Sequence, residues 1–387
     1  MALTPTVVVS PWNVASYPQG GGHWWVPLQY VLGMRELGVD VWWVEQYPRA
    51  PGDDDFDGHA IDTFRRRMVH FGLGERCVVW RGHLGNALVG RSAIVDELAE
   101  RADLLLNFNY ELPADVLNRF AKTALVDIDP GLFQFWASEG QVTPAPHHHY
   151  VTVGETVGTA RARFPDLGVE WVHIRPPVCL SWWPVVDAPP SAPFTTVSGW
   201  WAGEWISSTD GTLYDNNKRA AFLSYLDLPS RVSAPLELAL NLARPHSPGE
   251  RAWDDAERDL LIAHGWRVRH SYDVAGDPLS YARYIRGSQG EFSAVKPSCR
   301  DLQNAWISDR TVCYLATGRP AIVEHTGVSD VLPDSEGLFR FRDIDEAARA
   351  FELLGRDPDW HARAARHLAE RHFDATVVLS ELLAALL

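Results

Sequence analysis

The chain has 387 residues, more than one hydrophobic core usually supports, so the length calls for two domains with a cleft between them. Apolar residues make up 46% and charged residues 22%, an ordinary globular composition that excludes a mainly disordered or collagen-like chain. Thirty-five basic against 50 acidic residues give a net charge of -15, which repels phosphate backbones and argues against a nucleic-acid polymer or an anionic membrane surface as partner.

Taken in chain order, residues 6–9 form a β-branched run that reads as a strand, and Gly20-Gly21-Gly22 then interrupts. Val26, Leu28, Val31, Leu32 and Leu37 share one helical face, Gly38 is a C-cap candidate, and 39–44 resumes as a strand, which completes a βαβ unit. Further strand-like runs at 77–80, 103–108, 124–128 and 150–153 alternate with helical stretches, the pattern of a parallel, doubly wound sheet. This assigns residues 1–180 to an N-terminal domain. Prolines then dominate, and neither a helix nor a central strand survives them, so 181–194 reads as the linker. From 195 to 387 the series repeats: strand at 194–198, helix at 218–226, strand at 236–240, helix at 253–264, strand at 266–268, helix at 308–317 and strand at 320–324. Two or three amphipathic helices follow from 345, the last able to pack back on the N-terminal domain. The expected fold class is α/β: two doubly wound, Rossmann-like domains facing a central cleft.

The opening MALTPTVVVS has no basic region, and no stretch of about 18 apolar residues occurs, so a soluble, cytoplasmic protein without membrane insertion is the expectation. Cys77, Cys179, Cys299 and Cys313 lie far apart with no CxxC pairing and read as reduced thiols. The 17 tryptophans, several in tandem, suit sugar rings or bases, although core packing is their commoner use. The triplet His147-His148-His149 reads as loop, because adjacent side chains on an extended segment point apart and no Asp, Glu or Cys spacing completes a metal site.

Open parallel sheets bind ligands at the carboxyl ends of their strands. At that edge the N-terminal domain carries Trp12 and Asn13, then Gly20, Gly21 and Gly22, then His23. The glycines let a ligand approach the backbone, and free N–H groups at a helix start favour an anion. The spacing is neither GxGxxG nor a Walker A loop, which argues against a nicotinamide-dependent oxidoreductase. His23 is the leading general base, with Asp127 and Asp129 at the next strand end as alternatives. Gln134, Trp136 and Glu155 lie on similar edges and are candidates for an acceptor pocket, as are Trp12 and Asn13.

The C-terminal half offers Gly290-Glu291 through Lys296, then Ser308-Asp309-Arg310-Thr311, then Gly318-Arg319-Pro320-Ala321-Ile322-Val323-Glu324-His325-Thr326-Gly327. This last run resembles the nucleotide-binding segment of GT-B glycosyltransferases, and residues 281–386 together with the opening glycine-rich helix are similar to a bacterial family-4-like branch related to CgeB-type proteins. The resemblance implies metal-independent transfer of a sugar, of hexosyl type, from a UDP- or GDP-type nucleotide diphosphate sugar, a co-substrate with no separate cofactor, and the Trp- and Pro-rich N-terminal half suggests a small-molecule acceptor, partly flat and aromatic or nucleoside-like, over a long anionic polymer. The donor-binding candidates are Lys218, Glu291, Lys296, Ser308, Asp309, Thr311, Glu324, Thr326 and Gly327, approached by Gly20 to Gly22; from residue type alone, Arg310 near a helix start, then Lys296 and Lys218, are the cations that would stabilise the departing diphosphate. One departure stands out. Where retaining family-4 enzymes carry a Glu, seven residues and a second Glu, this sequence has Ala305 and Cys313, so either the donor contacts differ or Glu291 or Glu324 takes the role. A GT-B-like epimerase needs further carboxylates beside the sugar, a phosphorylase a pyridoxal-binding lysine; a non-catalytic sugar-binding protein would account for the tryptophans, including Trp200, Trp201 and Trp205, but not for Arg310 and Lys296.

Overall fold

The computed structural model describes residues 4–48, 57–82, 84, 86–202, 206–207, 211–243 and 254–387, so Trp205 and Trp253, the first residue of the helix expected at 253–264, lie outside the described residues. Among these residues eight strands form the first sheet: β1 (Thr6–Ser10), β2 (Asp40–Tyr47), β3 (Cys77–Arg81), β4 (Ala87–Val89), β5 (Leu104–Asn107), β6 (Thr123–Asp127), β7 (His149–Thr152) and β8 (Trp171–His173). Their order is β4-β3-β2-β1-β5-β6-β7-β8, parallel except for the antiparallel edge strand β4. The second sheet contains β9 (Phe194–Gly199), β12 (Leu236–Asn241), β13 (Arg267–His270), β14 (Gly290–Ser293), β15 (Ala321–Glu324) and β16 (Leu338–Phe341), in the all-parallel order β13-β12-β9-β14-β15-β16, with the ribbon β10 (Ile206–Ser207) and β11 (Leu213–Tyr214) apart from it. In both sheets the order runs outward from the first strand and then reverses, giving switch points between β1 and β5 and between β9 and β14 where a crevice opens.

Central parallel strands are covered on both faces, and this explains the unbroken run Val7, Val8, Val9, each with no exposed surface. β4 and β8, three residues each, are too short to announce themselves by composition, and β16 escaped sequence reading as well. β14 is hidden for another reason: a Cβ on Gly290 would lie 2.3 Å from the Phe194 ring and 2.5 Å from the Pro320 carbonyl, so its first residue has to be the weak strand former glycine.

The first helix, Gly21–Glu36, is buried along most of its length because it lies between the N-terminal sheet, the C-terminal domain and the last helix, Ala375–Leu386. Gly33 lets that last helix close in, since a Cβ there would meet Ala375 Cβ at 2.5 Å. The chain thus crosses back: Val178 and Asp374 form a bridge, and Lys122 Nζ donates to the Leu386 carbonyl at 2.8 Å. Pro27 inside the first helix cannot donate to the His23 carbonyl, which loosens the turn that faces the cleft.

The tandem tryptophans serve packing. Trp24 stacks on Trp43, whose Nε1 donates to Glu45 at 3.0 Å, while the neighbouring Trp42 lies under the Arg76 guanidinium at the surface. Trp25 donates to the Pro278 carbonyl at 2.8 Å and packs against Trp182 and Trp183, so linker indoles wedge the two domains together. Trp200 is buried, stacked on Phe222 and donating to Glu257. All four cysteines are buried and unbridged. Within the histidine triplet, His147 contacts Ala145 and Asn107, His148 contacts Thr123, and His149 opens β7, so the three rings serve separate neighbours.

Candidate active site

Two cavities meet at the carboxyl ends of the sheets. One, of about 390 Å³, lies between the domains: the N-terminal domain contributes Gly20, Gly21, Gly22 and His23, and the C-terminal domain contributes Val197 to Gly199, Asn241, Tyr272 and Ser308 to Arg310. The other, of about 330 Å³, lies within the N-terminal domain between the segments that follow β1, β5 and β6, where Trp12, Phe108, Tyr110 and Trp136 supply aromatic surface. His23, Val26, Ile128 and Asp129 border both.

His23 sits at that junction. Its Nε2 lies 2.8 Å from the Trp12 carbonyl, which can only accept, so Nε2 carries the proton and Nδ1 keeps its lone pair. Burial lowers its pKa, opposed by the Trp12 carbonyl and Asp129, and the ring is neutral near pH 7. Asp129, at the end of β6, makes no side-chain hydrogen bond among the described residues. Across the cleft, burial raises the Asp309 carboxyl to about 7, and the charge of Asp129 from the opposite domain adds to the rise. Two carboxylates, one per domain, therefore share the cleft.

Of the basic residues Arg310 lines the cleft, and Lys218 lies within electrostatic reach of both Arg310 and Lys296. Lys218 follows the first strand of the C-terminal sheet and its loop, Lys296 precedes the helix Pro297–Leu302, and Arg310 lies in the first turn of Asp309–Ala316. Burial lowers the Lys218 ammonium to about 7, and the charges of Arg310 and Lys296 add to the drop. Neither lysine has an ion pair among the described residues, so this corner holds positive charge waiting for a counter-charge. Arg310 is different: Nε donates to Glu291 at 2.7 Å, Nη1 to the Val197 carbonyl at 3.0 Å and Nη2 to Ser293 Oγ. Three of its five N–H groups are spent on the β9 and β14 ends, which leaves two for a ligand.

Several expected residues are held elsewhere. Asp127 is fully buried; its oxygens accept from Gln134 Nε2 at 2.8 Å, Thr152 Oγ1 at 3.0 Å and the Asp129 amide at 3.0 Å, and burial raises its pKa to about 7. It is the internal anchor of the loop that presents Asp129, and Gln134 belongs to that anchor rather than to a pocket. Glu155 is an interdomain clasp, accepting from Arg175, Ser329 Oγ and the Asp330 amide. Asn13 is a left-handed turn residue at φ 54°. Glu291 is buried beneath Arg310, and Glu324 is buried on Tyr225 and the Val295 amide, so neither presents a carboxylate to the cleft. Thr311 is buried. Thr326 donates to the Trp306 carbonyl, and a Cβ on Gly327 would strike Ala305 and Gln303, so that pair packs on the 303–306 loop away from the cleft. Cys313, at the place of the missing second carboxylate, faces Gln29 of the N-terminal domain at 3.6 Å, and Ala305 is buried in a left-handed turn. Missed by sequence reading were Phe108, Tyr110, Asn241 and Tyr272; each sits on or just past the carboxyl end of a strand or in the turn that follows it, the position the crevice rule marks.

Solved structures share this architecture end to end. The chain is similar to sucrose-phosphate synthase from Thermosynechococcus elongatus (12% identity, 99% of each chain, TM-score 0.57) and to HepE from Anabaena, solved with UDP and glucose (11% identity, 98% of each chain, TM-score 0.59). A glycosyltransferase from Rickettsia africae matches over 99% of this chain and 97% of its own at 10% identity and a TM-score of 0.55. The fold is GT-B. No family model matches the chain, and no curated protein does. Among the described residues no helix is long and apolar enough to cross a membrane.

Proposed function

We propose that this GT-B chain transfers a sugar, of hexosyl type, from a nucleotide diphosphate sugar to a hydroxyl of a small-molecule acceptor, without a metal ion. The observation that carries the reading is the junction: the cleft and the N-terminal cavity share His23 and Asp129, so a donor in one lies beside an acceptor in the other. The HepE protein was solved with UDP and with UDP-glucose, which supports a UDP-type donor. The family-4-like resemblance of the C-terminal run belongs to the same proposal, with donor contacts moved from the two missing carboxylates to Ser308, Asp309 and the cations.

In this reading Lys218, Lys296 and the remaining N–H groups of Arg310 meet the diphosphate, where negative charge grows as the bond from the anomeric carbon to the phosphate oxygen breaks and that oxygen keeps the electron pair. The acceptor oxygen bonds to the anomeric carbon and passes its proton to His23 Nδ1, and Asp129 stabilises the imidazolium. The test is calorimetric titration with UDP, GDP and their sugars, followed by assay of nucleotide release; absence of binding by every nucleotide overturns the reading.

A second reading, a sugar-nucleotide epimerase, draws on Asp129 and Asp309, the two carboxylates at the cleft. It predicts an epimerised sugar or free sugar with no acceptor present, whereas transfer predicts a glycoside only when acceptor is added.

A further inference from the structure

Resting on the reading of the N-terminal cavity as the acceptor site, we propose that the acceptor is a compact, flat, largely apolar molecule with a phenol-type hydroxyl, and that anionic acceptors are refused. Three observations lead there. The first is surface: Phe108, Tyr110 and Trp136 contribute rings and Val14, Val26 and Pro27 contribute aliphatic carbon, while polar side chains are confined to His23, Glu111, Asp129 and Gln141, so most of a sugar's hydroxyls would face carbon whereas a fused aromatic would be covered. Size comes second. At about 330 Å³ the cavity lies at the small end of ligand pockets, which fits a compact aglycone better than an oligosaccharide.

Charge is the third. The described residues that line the cavity include no lysine or arginine, and their carboxylates are Glu111, exposed, and Asp129 at the junction. An acceptor carboxylate or phosphate would be desolvated against like charge with nothing to pair it. The contrast with the adjoining cleft, which Arg310 lines and Lys218 and Lys296 approach from behind, keeps the nucleotide out of this cavity and the acceptor out of the cleft. At the shared end stands a neutral imidazole. A weak base matches an acidic hydroxyl, and a phenol near pKa 10 surrenders its proton far more readily than a sugar alcohol. In the reaction the phenol oxygen bonds to the anomeric carbon, its proton goes to His23 Nδ1, and the nucleoside diphosphate leaves with the electron pair of the broken bond.

The experiment measures binding to the full chain saturated with UDP, using 2-naphthol, its carboxylated derivative 6-hydroxy-2-naphthoate with the equally sized neutral 6-hydroxy-2-naphthamide as size control, and methyl glucoside, and then product formation with UDP-sugars. The expected order is 2-naphthol tighter than the carboxylate by about tenfold or more, with methyl glucoside weakest. Glu111→Gln narrows the gap between the two naphthols, and Trp136→Ala weakens 2-naphthol about tenfold with UDP affinity unchanged. The inference falls if UDP binds but the carboxylate or methyl glucoside binds as well as 2-naphthol, or if Trp136→Ala leaves 2-naphthol affinity intact. Failure of UDP to bind is a different result, which removes the transferase reading first.

Discussion

The two cavities differ in kind although they share four residues. The C-terminal wall of the cleft carries Arg310, with Lys218 and Lys296 in electrostatic reach behind it, in a chain of net charge -15, whereas the N-terminal cavity is largely apolar with acidic groups at its mouth and junction. In the first, function is written as positive charge that is only partly compensated; in the second, as shape with little polar demand. The comparison also separates two kinds of charged residue. Lys218 is left unpaired and its ammonium is driven down, while Arg310 is paired and its guanidinium is driven up, chiefly by Glu291 against the cost of burial. An unpaired buried charge points to a ligand; a paired one also holds the scaffold.

His23 is where the two regions join, and its loss should have the largest effect. His23→Ala is expected to lower turnover by about 10²–10⁴-fold with UDP affinity unchanged, read by steady-state kinetics beside calorimetry. A normal rate would send the proton elsewhere. Arg310→Ala tests the paired charge: it strands Glu291, whose other oxygen already lacks a partner, and should cost about 3–5 kcal/mol of stability by denaturant unfolding. If that variant is as stable as the parent, Arg310 is a ligand group and not a structural one. Lys218→Met tests the unpaired charge and should weaken UDP by about 10- to 100-fold while stability stays level or rises, since one mutual repulsion is removed.

The same lysine gives a pH signature. With its pKa near 7 in the folded protein and 10.5 as the ordinary value, the unfolded chain holds more protons between those limits, so this group makes stability rise with pH across that window. Ligand binding runs the other way, because only the ammonium attracts a diphosphate. UDP affinity should fall by about tenfold from pH 6.5 to pH 8.5, and Lys218→Arg should flatten the profile. The smallest effect belongs to the clasp on the far side: Glu155→Gln loses the charge facing Arg175 and should lower stability by about 1–2 kcal/mol with no change in UDP affinity.

Much of this was legible in order along the chain. The unbroken Val7 to Val9 run, the glycine turn before an apolar helix and the proline-rich break near 184 follow from local physics: a covered strand needs no polar alternation, a helix start needs a permissive turn, and proline ends regular structure. These features determined two doubly wound units, and the carboxyl-edge rule placed His23, Asp129, Trp12 and Trp136 at a crevice from sequence alone. What tertiary structure decided was which side chains keep their polar atoms for a ligand. Asp127 and Asp129 are two residues apart on one strand end, yet one is consumed by Gln134 and Thr152 and the other stands open. Glu291, Glu324 and Glu155 read as donor or acceptor carboxylates until partners from distant segments claim them. Residue type and spacing record what a group can do, but whether it is already satisfied depends on contacts many residues away, which only the folded chain brings within reach.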